Sequence, residues 1–165
     1  MIVYYGSAFE VRSPNISFSK NYLDFGKGFY TTAFKSQAEK WALRKADRTK
    51  NGIATVNMYE LAEDLTAYKV LRFESEDEAW LDFVCDCRKG SDIYNQYDII
   101  IGAVADDDVF KTVNMYFRGL WDKRKTLEEI RYYKTNNQIC ITNQETLEKA
   151  LSFKSCYLVG AESND

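Results

Sequence analysis

The chain has no histidine at all, a single proline (Pro14) and only eight glycines in 165 residues. Without an imidazole there is no nucleophile system that uses histidine as its base and no histidine-containing metal site. Any chemistry must run on carboxylates, amides and hydroxyls, or on binding alone. No Pro- or Ser-rich linker, low-complexity block or repeat divides the chain, so one domain over residues 1–165 is expected, with a frayed tail at 160–165. No apolar run approaches the ~18 residues that span a membrane. No apolar leader segment follows Ile2 and Val3, so the chain reads as cytoplasmic with no membrane partner. The four cysteines form no framework: Cys85 and Cys87 have one residue between them, where zinc knuckles want two to four. They are expected as reduced thiols in or near the core, with no metal. A net charge of −3 argues against holding bare nucleic acid mainly by electrostatics.

What the chain does have is aromatic side chains, 15% of its residues, including twelve tyrosines and ten phenylalanines. Most should pack a core against sheets. Periodicity predicts an α+β order. Ile2 to Tyr5, Thr55 to Leu61, Ala67 to Phe73, Gln138 to Thr142 and Cys156 to Val159 read as strands, and Tyr97 to Val104 as a strand buried on both faces. Capping boxes at Ser36-Gln37-Ala38-Glu39 and Ser75-Glu76-Asp77-Glu78 predict helix starts, as do Thr142 with Glu145. The first helix carries Ala38, Trp41, Ala42 and Ala46 on one face, and the second carries Trp80, Leu81, Phe83, Val84 and Cys87 and stops at Gly90. Asp106, Asp107 and Asp108 suit the positive end of a third helix, on which Val109, Phe110, Val113, Phe117 and Leu120 follow. Asp122 to Lys134 reads as a more polar helix.

The most distinctive stretch is DFGKGFYTT, Asp24 to Thr32, preceded by YYGS at Tyr4 to Ser7. Glycines let backbone approach a ligand closely, and an aromatic after them offers a stacking face. This pattern resembles the poly(ADP-ribose) polymerase branch of the ADP-ribosyltransferases. In those folds, three motifs sit on a split mixed sheet flanked by helices. Tyr5-Gly6-Ser7 resembles the first motif, with Tyr5 at the histidine position. Tyr30 falls on the strand tyrosine of the second, behind Gly28. Asn137-Gln138-Ile139 resembles the third, with Gln138 where the catalytic glutamate stands. The second stacking aromatic of the family falls on Trp41, and its carboxamide-contacting serine aligns with Ala38, two residues from Ser36. The chain also resembles, nearly end to end through WLDFV (Trp80 to Val84) and IGAVADD (Ile101 to Asp107), a group of uncharacterised bacterial proteins of this fold. Those are often encoded beside a small partner protein.

The resemblance implies an NAD site in which Tyr30 and Trp41 sandwich the nicotinamide. Gly6 backbone groups pair with its carboxamide, Tyr5 and Ser7 meet ribose or adenosine hydroxyls, and Lys27 stands near the pyrophosphate. Gln138, Tyr30 and Tyr5 are the catalytic candidates, and Tyr5, Gly6, Ser7, Gly28, Tyr30, Ser36 and Trp41 the binding candidates. Cleavage of the glycosidic bond builds positive charge at the ribose C1′, which a carboxylate would stabilise. Gln138 can accept a hydrogen bond there but is neutral. In a second register, taken from the arginine-targeting branch, Cys140 would hold the catalytic position. The implied activity is transfer of a single ADP-ribose from NAD to a protein or nucleic-acid acceptor, as a toxin restrained by a small antitoxin-like partner. The alternatives are a binding module without turnover, and a structural protein whose aromatics are only core.

Overall fold

The computed structural model describes residues 1–105, 107–133 and 137–160. Among them are two β-sheets and five α-helices in an α+β arrangement. The first sheet, wholly antiparallel, runs β1 (Ile2–Ser7), β3 (Thr55–Leu61), β7 (Leu151–Leu158) in spatial order. The second runs β2 (Phe29–Thr31), β6 (Asn137–Ile141), β5 (Ile99–Ala103), β4 (Val70–Arg72), with only β4 and β5 parallel. One hydrogen-bonded bridge joins the edges of the two sheets among the described residues. There the Tyr4 N–H donates to the Thr32 carbonyl at 2.8 Å, and the Thr32 N–H donates back at 3.0 Å.

Strand alternation assigns the faces. Phe29, Ile99, Ile101, Ile139 and Ile141 point inward from the second sheet and meet Val3, Tyr59 and Leu61 of the first. Helix α5 (Gln144–Ala150) adds Leu147 and Ala150 to this core between the sheets. Tyr30, Cys140 and Ile100 point outward, against α2 (Glu78–Arg88), α3 (Asp107–Phe117) and α4 (Lys123–Ile130). There Trp80, Leu81 and Val84 are fully buried, each contributing about 1.5–3 kcal/mol. Helix α1 (Lys35–Asp47) lies on the outer face of the first sheet through Ala38 and Ala42, against Val56, Tyr4 and Tyr157. Strand β5 is buried along its whole length, as its unbroken apolar run predicts.

Helix starts are where expectation and structure part. Helix α1 begins at Lys35 with Phe34 as its N-cap and no capping side chain, so Ser36 lies inside the first turn. Helix α2 is capped by Asp77, which accepts from the Trp80 N–H at 3.0 Å, and not by Ser75. Asn143, rather than Thr142, caps α5. In α2 and α5 the cap goes to the residue that stands immediately before the first helical turn, where its side-chain oxygen reaches a free N–H. Helix α3 ends at Phe117, so Leu120 lies beyond it, and Phe110 and Phe117 are exposed while Val109 and Val113 are buried. Strand β4 is only three residues long and β7 starts at Leu151, well before Cys156. Cys85, Cys87 and Cys140 are buried free thiols and Cys156 is half-buried. No helix among the described residues is long and apolar enough to cross a membrane. Asp106 of the aspartate cluster, Lys134 of the fourth helix as expected, and the tail after Gly160 lie outside the described residues.

Candidate functional site

The bridge at Tyr4 and Thr32 sets the geometry of everything near it. Because Tyr4 turns both backbone groups toward β2, alternation turns those of Gly6 the same way, out of the first sheet. Counting antiparallel from the bridge places Gly6 across from Tyr30, where the two sheets part. Next in the second sheet comes β6, with Cys140 paired to Tyr30 and Gln138 one pleat along on the same outer face. Strands carrying residues 5–7, 30 and 138 therefore stand side by side, although the chain separates them widely.

Gly6 is enclosed by α1. A Cβ there would lie 2.0 Å from the Ala38 carbonyl oxygen, 2.6 Å from the Ala42 nitrogen and 2.8 Å from Trp41 Cβ. The missing side chain is thus explained by helix packing, whereas the resemblance attributes it to a ligand. The Gly6 carbonyl accepts a hydrogen bond at 2.8 Å from Lys45 Nζ, and the same ammonium lies 4.0 Å from the centroid of the Tyr5 ring. A cation held by a carbonyl and a ring face is a stable lodging, with the ring alone worth about 0.5–2 kcal/mol. Lys45 thereby occupies the gap into which Gly6 points.

Lys45 also fixes which way α1 faces. Gln37, Trp41 and Lys45 follow at four-residue spacing and share one stripe of the helix. On its other flank, Lys35 sits 4.6 Å from the Tyr157 ring centroid and Glu39 accepts from the Tyr157 hydroxyl at 2.9 Å. The Gln37 stripe therefore borders the junction of the sheets and the Lys35 stripe borders β7. Trp41 is half-buried. Gln37 is only 5% exposed, and neither its Oε1 nor its Nε2 has a hydrogen-bond partner.

Tyr30 is anchored rather than displayed. Its hydroxyl donates to the Gly26 carbonyl at 2.6 Å and accepts from the Phe25 N–H at 3.0 Å, while its ring packs with the cluster of Phe25, Trp80 and Cys140. Burial, with Cys140 and Asp24 nearby, pushes its phenol well above the ordinary tyrosine range. No ring contact joins Tyr30 to Trp41. Gln138 is buried, and its Nε2 donates to the Ala103 carbonyl at 3.4 Å. Cys140 is fully buried behind Tyr30, and burial drives its thiol far above the usual range, so it presents no group toward the junction.

Other expected residues fall elsewhere. Tyr5 points to the inner face, its ring 4.5 Å from that of Phe29. Ser7 is buried on that same face, its hydroxyl accepting from the Phe9 N–H at 3.4 Å. Ser36 is exposed on the first turn of α1. Gly28 is pressed against β6 and its N–H donates to Ser19 Oγ at 3.0 Å. Lys27 is exposed beside Gly26, whose φ of +75° only glycine adopts freely. These two border a polar cavity of about 300 Å³ with Tyr22, Lys89, Ser91 and Tyr94, apart from the junction. The glycine segment itself is fixed by Asp24, which receives Arg88 Nη2 and Nε at 2.6 and 2.9 Å and the Ala105 N–H at 3.3 Å.

The model of one protein family spans residues 1–153 of the chain, and its description is "Protein of unknown function (DUF3990)". The chain belongs to the DUF3990 family. No curated protein and no solved structure matches it. No group of three or more metal-ligating side chains able to hold an ion occurs among the described residues. Sequence reasoning passed over Gln37 and Lys45. Their spacing with Trp41 was the available signal, but only the bridge geometry shows which way that stripe faces.

Proposed function

We propose that this DUF3990 chain binds NAD at the junction of its two sheets and transfers a single ADP-ribose to a macromolecular acceptor. The observation that carries the reading is the adjacency of β1, β2 and β6 at the parting of a mixed sheet. The resemblance to ADP-ribosyltransferases demands that adjacency, and three short motifs far apart in sequence need not have met it. In this reading Gly6 offers its backbone groups to the nicotinamide carboxamide, and Trp41 supplies the stacking face. Lys45 leaves the Gly6 carbonyl as the ligand enters. Gln138 turns from Ala103 to accept from a ribose hydroxyl, orienting the sugar while charge grows at C1′. The toxin role and the small restraining partner follow from the resemblance alone.

A second reading is favoured by Gln138 itself. It is neutral, buried and already bonded to a backbone carbonyl. A site so equipped suits a module that binds without turnover. Incubation of a cell lysate with NAD and the protein, followed by mass spectrometry for ADP-ribose adducts, separates the two. An adduct supports transfer, and saturable NAD binding without adducts or nicotinamide release supports the binding module. Gln138→Glu restores a carboxylate and should raise nicotinamide release about 10²-fold or more. A folded variant with no rise removes Gln138 from the catalytic position. Tyr30 is a poor probe, because removing a ring packed among Phe25, Trp80 and Cys140 opens a cavity.

A further inference from the structure

We infer that Gln37 is the side chain that reads the carboxamide of the bound ligand, an assignment that rests on the NAD reading above. A primary amide carries an acceptor and two donors, and native proteins satisfy nearly all such groups when they bury them. Gln37 is buried with both polar atoms unpartnered, on the stripe it shares with Trp41 and Lys45. Its neighbours on that stripe define where it borders. Trp41 Cβ lies against Gly6, and Lys45 reaches the Gly6 carbonyl. An unpaired amide costs stability in the free protein and gains its partner only when something enters the junction. The complementary ligand group is another amide: the Gly6 backbone takes the oxygen and one N–H of the nicotinamide carboxamide, and its second N–H is left to donate to Gln37 Oε1. Ala38, which aligns with the family's serine, has no polar side chain to offer, so Gln37 supplies the polar contact from one position earlier on the helix.

The assignment makes two linked forecasts for Gln37→Met, which keeps length and helix propensity while removing the amide. The melting temperature should rise, because a desolvated polar group has been replaced by an apolar one. NAD affinity should fall about tenfold or more by isothermal titration calorimetry. The loss should be smaller for 3-acetylpyridine adenine dinucleotide, in which a methyl replaces the amide nitrogen that Gln37 Oε1 would accept from. Gln37→Leu provides a second variant that lacks the acceptor, and it too should bind NAD at least about tenfold more weakly. If the parent protein binds NAD and either folded variant binds it equally well, Gln37 does not read the ligand, and the pocket stands without it. An equal loss for both dinucleotides overturns the amide pairing. If the parent protein shows no saturable NAD heat, the NAD reading fails and this assignment fails with it.

Discussion

Adding one methyl group at Gly6 tests why that residue is glycine. In Gly6→Ala the new Cβ would lie 2.0 Å from the Ala38 carbonyl oxygen and 2.6 Å from the Ala42 nitrogen, both backbone atoms of α1 that no rotamer change can move. Restoring an ordinary contact near 3.4 Å requires the helix to recede from β1 by about 1.4 Å. That retreat would strip Ala38 and Ala42 of their packing on Val56 and Tyr4 and draw Lys45 from the Gly6 carbonyl. Overpacking costs about 1–3 kcal/mol before those contacts are counted, so about 3 kcal/mol or more is expected. Against a total stability of about 5–15 kcal/mol this is severe, equivalent to a fall in Tm of about 6–12 °C. Urea denaturation of parent and variant measures it directly. A variant within about 0.5 kcal/mol of the parent would refute the packing argument, and Gly6 would then be a residue kept only for its ligand.

Four further substitutions test neighbouring claims. Asp24→Ala leaves Arg88, whose side chain is 8% exposed, without its carboxylate, and should cost about 3–5 kcal/mol in urea denaturation; a loss below about 0.5 kcal/mol would mean the pair does not hold the glycine segment. Cys140 remains a thiol in the folded state at pH values where the unfolded chain ionises. Its contribution is therefore complete below a thiol pKa of about 8.5 and is lost as pH rises above it, by up to about 1.4 kcal/mol per pH unit. Cys140→Ala should flatten the fall in stability between pH 9 and pH 10, and an unchanged slope would assign that fall to other groups. Asp77→Ala should cost about 1 kcal/mol and Ser75→Ala almost nothing, as read from melting curves, and the reverse order would return the cap of α2 to Ser75.

Much of the secondary structure was legible because it depends on near neighbours. The apolar run at Ile99 to Ile101 and the spacing of Trp80, Leu81, Phe83 and Val84 each state a period that a sheet or helix must satisfy. Caps were legible only as a neighbourhood. Ser75 and Asp77 both satisfy the rule, and the choice depends on which carboxylate or hydroxyl oxygen reaches a free N–H. The site was legible in parts. The motifs around Gly6, Tyr30 and Gln138 were visible, but the anchoring of Tyr30 on Gly26 and Phe25 was not, since a hydroxyl's partner depends on how the loop closes.

The sequence alone determined an α+β chain with buried thiols, no imidazole chemistry and a glycine-aromatic segment behind an early strand. Only the tertiary structure decided that β1, β2 and β6 are neighbours, that α1 rather than a ligand fills the space beside Gly6, and that Lys45 lodges in the gap beyond it. It alone left Gln37 buried with no partner. The physical reason is range. Periodicity and composition record what each residue prefers locally, whereas strand order, close approach and an unsatisfied amide arise between residues that the chain keeps far apart and the fold brings together.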